Sequence, residues 1–350
     1  MEQRKVKLGL VGCGKMMYSH CLSMLEAGNI EITAVCDIKL ENAKKTAEQL
    51  GIDKTYYTDD YRTMIGKCEA VLLPLPHNIH YEVALFFARH KVHVLVEKNM
   101  CASEEECRRL IKACEEEGVV LMCAYPVPYR PAVVKLKEMV DSGDYGKVIM
   151  MSSWTEQQTM PRVFGWNADN RVGGGQFWCH GCHYVDVLLR FLGNPVRGTH
   201  VGTRAGHNGN MLKESSSLVT MEFESGAVGF HSATWCARGT RLGWTLDIMT
   251  EKGLIHYDRE DGEIRFYAGQ SRRMPGESLS KDYELVWSEP ASMSKQTHFE
   301  IRHFANCILN GTKPWTDGYS TMQGQRCITA LYDAEEHGTV ADLRGMGFAE

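Results

Sequence analysis

Near its start the chain sets a strand candidate, Val6-Lys7-Leu8-Gly9-Leu10-Val11, directly against Gly12-Cys13-Gly14. Lys15 to Ala27 follows, with apolar residues at Met16, Met17, Cys21, Met24 and Leu25. That spacing is close to helical, so the glycines sit at a β-to-α turn. The pattern repeats. Ile30 to Cys36 reads as strand and Leu40 to Leu50 as helix, stopped by Gly51. Ala70 to Leu73, Val92 to Val96 and Val119 to Ala124 read as strands, with helices at His80 to His90 and after Ser103. Ser103 with Glu106 is a capping box, and Glu104/Arg108 and Glu105/Arg109 are i,i+4 pairs on a solvated face. Strands alternating with helices require crossovers, and crossovers of one hand build a parallel, doubly wound sheet.

Each glycine of the first turn has a physical task. Gly12 makes the turn, and Gly14 lets backbone approach a pyrophosphate at the N-terminus of the helix that Lys15 and Met16 begin. Met17 stands where a third glycine or alanine is usual. The second strand leads to Asp37, at the distance where a carboxylate binds ribose hydroxyls and repels a 2′-phosphate. The expected cofactor is therefore NAD rather than NADP; nearby Lys39 is the residue that pulls the other way.

A chain of 350 residues exceeds one ordinary domain. From Tyr125 its character changes. Pro126, Pro128 and Pro131 punctuate a junction before a helix at Ala132 to Val140. Lys147 to Trp154, Leu218 to Phe223, Ala227 to His231, Thr245 to Met249 and Glu263 to Tyr267 are β-rich. Helices are expected at His298 to Leu309 and Thr321 to His337. The expectation is an α/β Rossmann domain over 1–124 and an α+β domain over 125–350. The second has a large, mostly antiparallel open sheet, one face of which is free for homo-oligomer contact.

A net charge of -5 argues against nucleic-acid and anionic-membrane partners. No apolar run is long enough to span a bilayer, and the N-terminus has no signal-type apolar region. A cytoplasmic protein is expected. The 13 cysteines are odd in number and scattered, which reads as free, mostly buried thiols.

Gly173-Gly174-Gly175-Gln176-Phe177-Trp178-Cys179-His180-Gly181-Cys182-His183 combines a glycine-rich turn with C-x-x-C-H, the attachment signature of a c-type haem. Covalent haem attachment normally follows export, which nothing here directs. Cys179, Cys182 and His183 fall at i, i+3 and i+4, so one helix can offer three metal ligands. Zinc usually wants a fourth, and no second C-x-x-C or H-x-x-x-H supplies it. The expectation is structural cysteines and no metal.

Val94-Leu95-Val96-Glu97-Lys98-Asn99 resembles the E-K-P motif of the Gfo/Idh/MocA oxidoreductases, named for glucose-fructose oxidoreductase and inositol dehydrogenase. Pro76-His77-Asn78-Ile79-His80 is similar to the family's P-N-x-x-H, which lies near the cofactor. Trp166 with Gly173-Gly174-Gly175, then Gly181, His183 and Asp186, resemble its W…G-G-G and D-x-G-x-H-x-x-D segments. Phe304, Gly311 and Asp317-Gly318 are like its C-terminal F…G…D-G pattern. The resemblance runs along the whole chain and departs at three places. Asn99 replaces the proline, Cys179 stands for the first aspartate, and Pro128 falls where arginine is common.

The resemblance implies hydride transfer between a CHOH group and a nicotinamide. Lys98 would hydrogen-bond the substrate oxygen at the C-terminal edge of a strand, and His183 would be the general base. Asp186, three residues on, ranks below both. Pro76, His80, Glu97 and Lys98 join Gly12, Gly14, Lys15, Met16 and Asp37 as expected cofactor contacts. Tyr125, Trp154, Trp166, Cys179 and His180 are candidate substrate contacts, the tryptophans because flat aromatic faces suit the C–H face of a sugar. The expected substrate is a sugar, polyol or glycoside, including oxidation at C3 of a glycoside. Two alternatives stay open: an NAD-dependent glycosidase using transient oxidation, and a non-catalytic NAD-binding regulator.

Overall fold

The computed structural model describes residues 4–14, 17, 23–52, 56–158, 174–206, 213–240, 243–269, 281–290 and 296–348. They form two compact units, one of 1–129 with 295–322 and one of 130–294 with 323–350. A single cut at 124/125 does not represent this division, because the chain returns to the first unit near its end. The reason is apolar cover. Ile301, Phe304 and Ala305 are buried in one cluster with Leu8, Leu10 and Ile32.

The longer helices in chain order are α1 (Leu40–Gln49), α2 (His80–Arg89), α3 (Glu104–Glu117), α4 (Pro131–Asp141), α5 (Cys182–Leu192), α6 (His298–Asn310) and α7 (Gly318–Glu336). The first unit holds strands β1 (Val6–Val11), β2 (Ile30–Cys36), β3 (Tyr56–Thr58), β4 (Ala70–Leu73), β5 (His93–Glu97) and β6 (Leu121–Ala124). All pairings are parallel, in the order β3-β2-β1-β4-β5-β6. The order reverses between β1 and β4, which makes the carboxyl ends of those strands the crevice where such sheets bind ligands. The expected Rossmann architecture is present. The helix expected from Lys15 lies mostly outside the described residues.

Local signals behave as their chemistry requires. Ser103 Oγ accepts the Glu106 N–H at 3.2 Å. The Glu106 carboxylate reaches back to the Ala102 N–H at 3.0 Å, one residue before the cap. Glu104 pairs with Arg108 and Glu105 with Arg109 on exposed surface.

The second unit is built on β7 (Val148–Glu156), β8 (Pro195–Thr203), β9 (Ser216–Phe223), β10 (Val228–Thr234), β11 (Trp244–Thr250), β12 (Gly253–Asp258), β13 (Glu263–Ala268), β14 (Glu284–Ser288) and β15 (Ala341–Asp342). Their order is β14-β13-β12-β11-β7-β10-β9-β8-β15. Only the β7–β10 pairing among them is parallel. Of these strands, β8, β12, β14 and β15 carry no strong alternation in sequence and emerge only from pairing.

The pleat separates two faces. Ser153, Thr155, His231 and Trp244 share the inner face, the one against α5. Trp154, Ser232, Leu218 and Val201 are cross-strand neighbours on the outer face. There Val201, Leu218, Met150, Val228 and Met249 stay 37–63% exposed. Among the described residues no helix is long and apolar enough to cross a membrane.

Candidate active site

In the first unit the β1 turn closes on its neighbour strand. The Gly12 N–H donates to Cys36 O at 2.8 Å. Gly12 has φ +98°, and a Cβ there would meet Leu75 Cδ2 at 2.8 Å and Pro74 O at 3.0 Å, so only glycine fits. Among the described residues a Cβ on Gly14 would meet nothing within 4 Å, which leaves the approach to the turn open on that side. Asp37 is held over it. One carboxylate oxygen accepts the Cys13 N–H at 2.8 Å, and the other accepts the Lys39 N–H at 2.9 Å and the Asn42 amide at 3.1 Å. An immobile carboxylate at the end of β2 beside an open glycine turn fits the ribose and pyrophosphate of a dinucleotide. Lys15 and Met16 lie outside the described residues.

A second cluster follows β4. Pro76 starts a short turn, His77–Ile79, that runs into α2. His80 is fully buried, with Nδ1 2.7 Å from Asn99 O and Nε2 2.8 Å from Leu75 O. A neutral imidazole has one N–H and satisfies one of these carbonyls; the imidazolium satisfies both, but burial pushes the His80 pKa down. The His77 ring lies 5.6 Å from the His80 ring. Burial, and after it the Lys98 ammonium, holds the His77 pKa well below the usual histidine range. These rings surround the backbone that carries Lys98, whose own N–H donates to Glu97 Oε2 at 3.2 Å. Lys98 is half-buried, Glu97 and Asn99 are buried, and the Lys98–Asn99 peptide is cis. Tyr125, just past β6, is buried with its N–H on Cys123 O at 2.9 Å.

In the second unit Gly175 has φ +108°, and a Cβ there would meet Glu214 Oε1 at 2.8 Å. That carboxylate oxygen accepts both the Phe177 N–H and the Tyr332 hydroxyl at 2.8 Å. Glu214 thus clamps the start of the helix. The first turn, Phe177–Gly181, is π-helical before α5 begins. A π turn takes in an extra residue, so the continuous α register that the Cys179, Cys182 and His183 spacing assumes does not hold across Phe177–Gly181. Cys179 is buried and its N–H donates to Gly175 O at 3.0 Å. Among the described residues no group of three or more His, Cys, Asp or Glu is placed to hold a metal ion.

Every residue of α5 is buried except His183 and Arg190, which are half-buried. The His183 ring lies 5.8 Å from His180, and Gln176 holds the His180 ring at 3.3 Å. Asp186 pairs with Arg190 at 3.1 Å, which gives it a role within its own helix. Tyr184 stacks on His231 at 4.4 Å, and burial pushes its phenol up to about 12. Trp154 projects from the outer face and is not brought together with His183, because a one-residue step along a strand changes faces. Trp166 and Gly173 lie outside the described residues.

Sequence reasoning passed over His77, Arg130, Tyr184, Glu214 and His231. His77 sits inside a motif already singled out. The others have no local signal, since their partners are distant in sequence.

The family description "Oxidoreductase family, NAD-binding Rossmann fold" matches residues 6–125, and the Gfo/Idh/MocA C-terminal domain matches residues 133–256. The chain belongs to the Gfo/Idh/MocA oxidoreductase family. It is 24% identical to D-xylose 1-dehydrogenase (NADP(+)) 2 of Haloferax volcanii, over 96% of this chain and 99% of that one. It is also 24% identical to scyllo-inositol 2-dehydrogenase (NAD(+)) of Bacillus subtilis, over 89% of each. Among solved structures, levoglucosan dehydrogenase in complex with NADH and levoglucosan superposes with a TM-score of 0.85 at 20% identity, covering 97% of this chain and 99% of that one. The protein is an NAD(P)-binding oxidoreductase.

Proposed function

We propose that this oxidoreductase uses NAD to oxidise a secondary CHOH of a sugar, polyol or glycoside, including C3 of a glycoside. The Asp37 carboxylate, anchored by two backbone N–H groups beside the open Gly14 turn, carries the cofactor reading. Its charge disfavours a 2′-phosphate. Bound nicotinamide supplies the hydride acceptor. Lys98 donates a hydrogen bond to the substrate oxygen and stabilises the developing alkoxide. His183, half-buried on α5, takes the hydroxyl proton. The sugar class is supported by relatives named for xylose and inositol oxidation. Pro76, His80 and Glu97 support the backbone around the cofactor, and Cys179 and His180 the substrate side of the second unit.

The exposed apolar row Met150, Leu218, Val228 and Met249 on the outer sheet face supports assembly into a homo-oligomer through that face. NADH formation against a panel of sugars, polyols and glycosides tests the activity. Turnover that is lost in Lys98→Ala and His183→Ala is expected; full activity in both variants overturns the site assignment.

A further inference from the structure

We infer that Arg130 seats an anionic group of the substrate, a carboxylate or a phosphate monoester, on the inner face of the second unit. That the anion belongs to a substrate rests on the dehydrogenase reading above; that an anion binds there rests on Arg130 itself.

Arg130 directly precedes α4, and only 8% of it is exposed. Its guanidinium lies 4.9 Å from the ring centroid of Trp244, an inner-face residue of β11. Its Nε is sealed from solvent and has no acceptor among the described residues. Among the described residues no carboxylate forms an ion pair with it. Arg259 adds a second positive charge to its surroundings, and Glu289, the acid it feels, stays outside pairing distance. The Tyr184 and Tyr257 hydroxyls beside it are kept neutral by burial.

A guanidinium stays charged at any pH a protein survives. Buried charges in proteins are paired or ligate something, because desolvation is otherwise uncompensated. An aromatic face answers only part of that cost. Nε, next to the stem, is sealed off, while Nη1 and Nη2 are not among the sealed atoms, so the outer edge of the guanidinium is the part left to meet a ligand. The planar fork matches a carboxylate or a phosphate through two parallel hydrogen bonds. The position is also chemically apt. Tyr184 interacts with Arg130, packs 6.4 Å from Trp244, and directly follows His183. An anion held by Arg130 would therefore sit on the same face of the sheet as the helix carrying the proposed base.

The test compares matched substrates in the full-length protein with NAD: glucose, glucuronate and glucose 6-phosphate, and galactose with galacturonate. Inorganic phosphate is the competitor. Wild type is expected to prefer one anionic member over its neutral partner by roughly 10- to 150-fold in kcat/KM, the range for a hydrogen bond to a charged group. Arg130→Met should lose that preference while keeping turnover of the neutral partner. Uronates and phosphate esters in separate arms distinguish the two anions, and competition by phosphate alone would identify the phosphate source. A parallel readout needs no turnover. Glucuronate or phosphate should raise the melting temperature of wild type more than glucose does, weakly in Arg130→Lys and not in Arg130→Met. Oxidation of neutral sugars with no anion preference and no anion-dependent melting shift overturns the inference and leaves the dehydrogenase reading intact. An Arg130-dependent shift with no turnover of any sugar keeps the anion site and overturns that reading. If Arg130→Met does not fold, wild type and Arg130→Lys decide, and equal stabilisation by glucose and glucuronate in wild type refutes the site.

Discussion

The β1 turn of the first unit and the entry to α5 in the second are both glycine-led, and both aim a functional group, yet they are held by different means. Around the turn, Asp37 is fixed by backbone N–H groups of Cys13 and Lys39 and by the adjacent Asn42. Most of its partners belong to one β-α-β stretch. At the α5 entry, Gln176 and Phe177 are fixed by Glu214, and Glu214 in turn by Tyr332. Those partners come from two remote parts of the chain. A site assembled from neighbours in sequence tolerates change elsewhere, whereas a site assembled from distant side chains depends on the packing of its whole unit.

The largest effects test the reactive groups themselves. Lys98→Ala and His183→Ala should each lower kcat by about 10²- to 10⁴-fold, the usual contribution of a positioned proton-transfer group, with little change in melting temperature. Steady-state NADH formation and a thermal melt separate this from unfolding. Asp37→Ser should act on cofactor binding instead. KM for NAD should rise by about tenfold or more while the NADP to NAD preference shifts toward NADP, as expected when a 2′-hydroxyl partner and 2′-phosphate repeller is lost. An unchanged preference would remove Asp37 from the cofactor site.

Glu214→Ala strips two donors of their acceptor in a buried setting, and should destabilise by about 1–3 kcal/mol. Denaturant unfolding measures it, and activity should fall with it if the clamp aims His183. His231→Phe should do the reverse. Both ring nitrogens of His231 are buried without partners among the described residues while the ring stacks on Tyr184. Phenylalanine keeps the stack and should stabilise by up to about 1 kcal/mol.

The smallest effect is a pH dependence. Burial lowers the pKa of His77, His80 and His231 below 6.5 in the folded protein. As pH falls the unfolded chain therefore binds these protons first. Their contribution is complete above the unfolded value of 6.5 and declines below it toward the folded values. Melting temperature should drop between neutral and mildly acidic pH, and less steeply in His231→Phe. A flat profile would contradict the buried neutral histidines.

The first unit was legible because its information is local. A glycine in a left-handed turn, an acid at the end of the next strand, and Ser103 capping α3 all act through backbone within a short span. The resemblance at Glu97-Lys98 added the reactive lysine. Cys179 and Trp154 show where that logic stops. Cys179 lies in a π turn rather than in the α register its spacing assumes, and nothing local in the sequence announces that turn. The face chosen by Trp154 depends on strand register, which its neighbours in sequence do not specify.

By itself, then, the sequence determined the parallel α/β half, its dinucleotide turn and the family to which the chain belongs, because period, capping and glycine geometry are short-range. Tertiary structure alone decided that α6 completes the first unit's core, that Glu214 and Tyr332 clamp the α5 entry, and that Arg130 is buried on Trp244 with no counterion among the described residues. Those outcomes depend on which distant side chains share a low-dielectric interior, and no local pattern encodes that.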